Sequence, residues 1–143
     1  MPTRHASATW TGKLRDGKGN FGGESGAIGG DYSFGTRFGD AAGTNPEELL
    51  AAAEAACFSM ALSLGLEQAG LTAERIETKA ACTIDKVADG FAITRMQLSV
   101  VARVPGADRD QFKDIAEATK SGCPISKALL GNVQIDLDAR LED

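Results

Sequence analysis

Two cysteines carry the residue types and setting for redox chemistry. Cys57 lies deep in an apolar stretch of helical character, Ala51-Ala52-Ala53-Glu54-Ala55-Ala56-Cys57-Phe58-Ser59-Met60, and Cys123 sits at a Gly122-Cys123-Pro124 junction where a further helix should begin. Neither belongs to a Cys-x-x-Cys pair. A buried thiol with a second thiol far along the chain reads as a nucleophile and its resolving partner. The plain alternatives are a small core thiol at 57 and a cap residue without chemistry at 123.

The two settings differ electrostatically. A thiol with an ordinary pKa of about 8.5 is only slightly ionised at neutral pH, and an apolar surround raises that value. Glu54, one helical turn earlier, raises it again if it faces the sulfur. Mid-helix, the macrodipole gives little help. A reactive Cys57 therefore needs an imported cation. Cys123, as N-cap before Pro124, has free amides and the dipole in its favour, with Lys120 and Lys127 nearby in sequence. On this ground alone Cys123 is the more acidic thiol, and the choice of nucleophile stays open. Cys82, alternating with Thr78, Ala80 and Ile84, reads as core.

Arg37, between Phe34 and Phe38, is the candidate cation. A guanidinium among aromatics is poorly solvated and cannot lose its proton. Glu47 can orient it through a bidentate pair, its plain alternative being a first-turn charge serving the helix dipole. Ten residues separate Glu47 from Cys57, about 15 Å along a continuous helix. Either Arg37 spans that gap or the Arg37–Glu47 pair comes from a second chain. The second option predicts a homodimer with its sites at the interface.

Other chemistries are poorly served. His5 is the sole histidine and lies near the N-terminus, so Cys-His and Ser-His-Asp arrangements lack a well-held base. Three scattered cysteines and one terminal histidine lack zinc-ligand spacings, so no metal is expected. Gly17-Lys18-Gly19-Asn20-Phe21-Gly22 matches G-x-G-x-x-G, but no helix follows it. A net charge of −5 without a Lys/Arg cluster disfavours nucleic acid.

The elements that must position these groups are legible in outline. At 143 residues a single domain, 1–143, is expected. A strand runs over 5–14, with a hairpin turn at Asp16–Asn20 and a second strand through Phe21. Residues 17–43 hold ten of the 17 glycines, interleaved with aromatics, and read as irregular or short-stranded backbone. Asn45 as N-cap, Pro46 at N1 and Glu48 at N3 form a capping-box pattern, opening a helix that runs to about Ala69 and ends on Gly70. That helix is apolar nearly all round, so protein should enclose it; Glu54, Ser59 and Ser63 argue against a membrane span. Strands follow at 74–87 and 91–104 around Asp89-Gly90, then helices over 107–121 and from Pro124, and a strand over 133–141. No signal-peptide pattern is seen, and an odd cysteine count disfavours a secreted disulfide framework. The expected location is cytoplasmic.

Thr44-Asn45-Pro46-Glu47-Glu48-Leu49-Leu50, Ala56-Cys57-Phe58-Ser59-Met60-Ala61-Leu62 and Gly122-Cys123-Pro124-Ile125-Ser126 resemble the osmotically inducible protein C (OsmC) and organic hydroperoxide resistance (Ohr) superfamily. Glu24-Ser25-Gly26, Thr36-Arg37-Phe38, Asp85-Lys86-Val87 and Gly90-Phe91-Ala92-Ile93-Thr94 look closer to the OsmC branch. The resemblance implies an α+β fold, mostly antiparallel sheets packed on a long central buried helix, in an intertwined homodimer. It implies a thiol-dependent peroxidase of oxidative and osmotic stress defence, without metal, haem or other cofactor. It casts Cys57 as the peroxidatic cysteine, Cys123 as the resolving one, Arg37 as the activating cation and Glu47 as its partner. The implied reductant is a dithiol, with lipoylated proteins the implied donors in the sister branch. The competing readings are a redox sensor using the same disulfide switch without turnover, and a small-ligand carrier in which the thiols are incidental.

Overall fold

The computed structural model describes residues 1–142. The chain folds as two compact units, Met1–Leu49 and a second from Leu50 onward.

In the first unit, strands β1 (Ala6–Thr11), β2 (Lys18–Gly23) and β3 (Gly29–Tyr32) form an antiparallel sheet in the order β1-β2-β3. The β1–β2 turn falls earlier than the sequence predicts. Gly17 N–H closes it on Lys13 O at 2.7 Å, so Lys18, Gly19 and Asn20 already belong to β2 and the G-x-G-x-x-G match lies along a strand. Gly19 faces the Trp10 and Tyr32 rings, where an added Cβ would come within 2.6 Å of Tyr32. A short helix, α1 (Phe34–Phe38), follows. The glycine-rich reading of this region overlooked it. Its signal is Ser33 with Thr36 three residues on: Ser33 Oγ accepts from Thr36 N–H, and Thr36 Oγ1 accepts from Ser33 N–H at 2.9 Å, a reciprocal cap.

Helix α2 (Pro46–Gln68) begins where Asn45-Pro46 predicts. Asn45 Oδ1 accepts from Glu48 N–H at 2.8 Å. The other half of the predicted box is absent, because the Glu48 carboxylate accepts instead from Thr44 Oγ1 at 2.7 Å. At the far end Leu71 N–H bonds Leu66 O and Gly70 N–H bonds Glu67 O, both at 2.9 Å. Gly70 holds φ +80°. That double closure needs a left-handed residue, which glycine adopts without a Cβ penalty.

The second unit holds strands β4 (Arg75–Val87), β5 (Gly90–Arg103) and β6 (Gln134–Leu141) in the order β4-β5-β6. β4 and β5 form a hairpin in which Val87 pairs with Gly90. β6 runs parallel to β5, which demands a crossover; α3 (Arg109–Gly122) and α4 (Pro124–Leu129) supply it. Alternate residues of β5, Met96, Leu98, Val100 and Ala102, are fully buried, as the period of two requires. They share one core with Phe58, Leu62 and Leu66 of α2 and with Phe112 and Ala116 of α3. Cys82 packs at the edge of that core, as its alternation predicts.

Helix α2 is long and apolar enough to cross a bilayer by length and composition alone. One row of it, Glu54, Phe58, Leu62 and Leu66, is buried within the chain, one residue per turn at i, i+4 spacing. Met60 and Leu64 on its other side are 77% and 54% exposed. A single chain thus covers one face of a helix that the sequence predicts to be enclosed.

Candidate active site

The first unit assembles a cation and its partner. Arg37 lies in the last turn of α1, and Glu47 in the first turn of α2. The guanidinium grips the carboxylate through two nitrogens, Nε to Oε1 at 3.1 Å and Nη2 to Oε1 at 2.7 Å, with Oε2 also 3.2 Å from Nε. Such a charge-assisted pair fixes the plane of the guanidinium. Glu47 is nearly enclosed, its side chain 7% exposed, while the Arg37 side chain keeps 36% exposure. The Phe38 ring lies 5.3 Å from the Arg37 guanidinium carbon. Asn45 Nδ2 donates to Thr36 O at 2.9 Å, tying the start of α2 to α1 and so supporting the pair. Arg37 also lines a cavity of about 240 Å³ with Trp10, Leu14, Tyr32, Phe34 and Phe38. It is largely apolar, with one fixed positive charge at its wall.

The second unit assembles the thiols. Cys57 of α2 and Cys123, between α3 and α4, share a hydrogen bond with Sγ–Sγ 3.0 Å. A disulfide needs about 2.05 Å, so roughly 1 Å of approach separates the two sulfurs from a bond. Cys123 is fully buried and Cys57 partly so. The sequence places Cys123 as an acidified N-cap. It occupies the cap position of α4, but its side chain makes no cap hydrogen bond, because the sulfur is directed to Cys57 instead. Lys120 meets Glu117 at 3.8 Å.

The local field works against a Cys57 thiolate. Burial pushes the Cys57 thiol above its ordinary value, and contact with Cys123 pushes the same way. The backbone N–H of Ile125 pulls it down, and the charges of Cys123 and Glu54 add upward pressure. Glu54 does act on the sulfur, as its position one turn earlier suggested. All but the Ile125 N–H favour the neutral thiol.

Glu54 and Ser126 form a contact that sequence reasoning missed. Glu54 is fully buried, and its Oε1 accepts a short hydrogen bond from Ser126 Oγ. Its Oε2 is buried without a partner. Burial raises the Glu54 carboxyl above its ordinary value, and the Ser126 bond partly offsets this. The two residues lie 72 apart in sequence, and only the folded chain brings them together. His5 is exposed at the N-terminal edge. Among the described residues no group of three or more His, Cys, Asp or Glu side chains is placed to hold a metal ion.

In this α+β chain the two thiols meet at 3.0 Å, one on α2 and one at the α3–α4 junction. Residues 39–138 match the family described as OsmC-like protein. The chain is 46% identical over 134 residues to Peroxiredoxin OsmC of Escherichia coli (strain K12), covering 93% of this chain and 94% of that one. It is 33% identical over 99 residues to the organic hydroperoxide resistance protein OhrB of Bacillus subtilis (strain 168), covering 68% and 71% of the two chains. Among solved structures, an organic hydroperoxide resistance protein from Elizabethkingia anophelis superposes with a TM-score of 0.76 at 26% identity, covering 100% of this chain and 98% of that one. The chain belongs to the OsmC-like family, on the OsmC side of the OsmC/Ohr superfamily.

Proposed function

We propose that this chain is a cysteine-based peroxidase that reduces organic hydroperoxides, and hydrogen peroxide more weakly, in oxidative and osmotic stress defence. The observation that carries the reading is the 3.0 Å contact between the Cys57 and Cys123 sulfurs. Kinship to a peroxiredoxin and to organic hydroperoxide resistance proteins supports it.

The Cys57 thiolate attacks the distal oxygen of the hydroperoxide. The O–O bond breaks, alcohol or water leaves, and Cys57 becomes a sulfenic acid. Cys123 then attacks that sulfur, and the S–O bond breaks to give a disulfide and water. A dithiol reductant, with a lipoylated protein as one candidate donor, restores both thiols by exchange. Arg37 holds the thiolate and the peroxide oxygen by charge, and Glu47 holds Arg37. The apolar walls beside Arg37 favour an organic tail over bare hydrogen peroxide.

A second copy of the chain delivers the Arg37–Glu47 pair, so the active form is a homodimer with sites at its interface. Two observations support this arrangement. Helix α2 is unbroken between Glu47 and Cys57, leaving about 15 Å of axis between them. Met60 and Leu64 stand exposed on that helix, and apolar surface of this kind calls for a partner. The chain is a single OsmC-like domain over 1–143 in this reading and works in the cytoplasm, where resting thiols stay reduced.

Steady-state turnover of cumene hydroperoxide with dihydrolipoamide tests the reading. Wild type turns over, Cys57→Ser is inactive, Cys123→Ser consumes one equivalent and stalls, and Arg37→Ala loses two or more orders of magnitude in kcat/KM, on the order of a lost electrostatic stabiliser. A Cys57→Ser variant as active as wild type overturns it. Disulfide formation without turnover on any dithiol would favour the redox-sensor alternative.

A further inference from the structure

The two contacts between α2 and the α4 region form a ladder with two rungs. On α2, Glu54 and Cys57 are i and i+3, so they share a face. Around the start of α4, Cys123 and Ser126 stand in the same i, i+3 relation. The rungs are Cys57 with Cys123, and Glu54 with Ser126. The residues pair in antiparallel order, the earlier of one segment with the later of the other, which fixes a single register of α4 along α2.

We propose that Glu54 and Ser126 are positioning residues for the resolving step: their buried hydrogen bond locks α4 in register on α2 and keeps Cys123 within reach of Cys57 after Cys57 is oxidised. Three further features fit this role. The cap side chain of Cys123 makes no hydrogen bond of its own to α4, so the sulfur's place depends on how its helix is seated. The backbone N–H of Ile125, between Cys123 and Ser126, pulls the Cys57 thiol down, and that influence depends on the same register. Glu54 and Ser126 are both fully buried, so water does not compete for their bond.

The step they serve is balanced. The Cys123 sulfur attacks the sulfenic sulfur of Cys57 and an S–S bond forms. The S–O bond breaks, and hydroxide leaves with the Cys123 proton as water. Cys123 is oxidised and the sulfenic sulfur is reduced, with the hydroperoxide of the first step as the oxidant.

The inference rests on the peroxidase reading, and the test separates the two. Reduced wild type, Ser126→Ala, Glu54→Ala and Glu54→Gln are each mixed with one equivalent of cumene hydroperoxide and quenched over time. Dimedone traps sulfenic acid, and mass spectrometry counts disulfide. Glu54→Gln keeps an oxygen that accepts from Ser126. Glu54→Met/Ser126→Ala replaces both partners with apolar groups, leaves no unpaired carboxyl, and guards against a folding defect. Ser126→Ala should form sulfenic acid at the wild-type rate, and Glu54→Ala and the double variant no more slowly than wild type, because losing the Glu54 charge favours the Cys57 thiolate. Their disulfide should form roughly tenfold to a hundredfold more slowly, the cost of a small misplacement of reacting groups. Glu54→Gln should resolve within about threefold of wild type, the cost of a slightly weaker bond. Wild-type disulfide rates in Ser126→Ala and the double variant overturn the inference and leave the peroxidase reading intact. A wild-type protein that acquires no oxidising equivalent at Cys57 overturns both.

Discussion

Among the individual residues, Cys57 is poised by a conflict. Its sulfur has a partner 3.0 Å away, yet burial, that partner and Glu54 all raise its pKa. Glu54 is the one member of that set a substitution can neutralise without breaking the hydrogen bond to Ser126. Alkylation of Cys57 as a function of pH, in a Cys82→Ser/Cys123→Ser background, should therefore show a lower midpoint for Glu54→Gln than for its Glu54 parent. The sign follows because removing a nearby negative charge stabilises the thiolate and extends it to lower pH. An unchanged or higher midpoint would mean that Glu54 stays neutral throughout or does not act on this sulfur.

Among the helices and strands, the start of α2 does two jobs. Asn45 caps the helix through Glu48 N–H and reaches back to Thr36 O beside Arg37. Asn45→Ala should cost about 1 kcal/mol in urea unfolding, as lost N-caps do. It should also lower kcat/KM, because α1 loses a tie that places Arg37. An unchanged urea midpoint would show that another donor or acceptor replaces the cap. Much of this local structure was legible in the sequence, since Asn45-Pro46 and Gly70 are signals that act within a turn of themselves. The pairing of Arg37 with Glu47 was legible for a similar reason: a guanidinium among aromatics and a first-turn carboxylate not used in capping leave few other uses for either. What was not legible depended on the tertiary fold. The Cys123 side chain abandons its cap role because a second sulfur is nearer. Glu48 turns to Thr44, and the β1–β2 turn closes between Lys13 and Gly17 in place of the Asp16–Asn20 turn. The Glu54–Ser126 bond joins residues far apart in sequence, and neither side chain announces the other. Helix α1 was hidden by the glycines in and around it, although Ser33 and Thr36 carried the cap signal.

In the molecule as a whole, the proposed dimer divides the labour between two copies. One chain holds its Arg37–Glu47 pair in its first unit and its thiol pair in its second. The apolar flank of α2 at Met60 and Leu64 remains open in a single copy. The proposed mechanism therefore turns on a guanidinium of one chain sustaining the Cys57 thiolate of the other. Subunit mixing tests this: Cys57→Ser and Arg37→Ala proteins, each nearly inactive alone, are exchanged under mild denaturant, refolded together and assayed with cumene hydroperoxide. A mixed dimer carries one site with both groups intact only if they come from different chains. Activity recovered to about a quarter of wild type, the statistical share for a two-chain assembly, is the predicted result. A mixture no more active than the sum of its parts, with subunit exchange verified by mass, would contradict it.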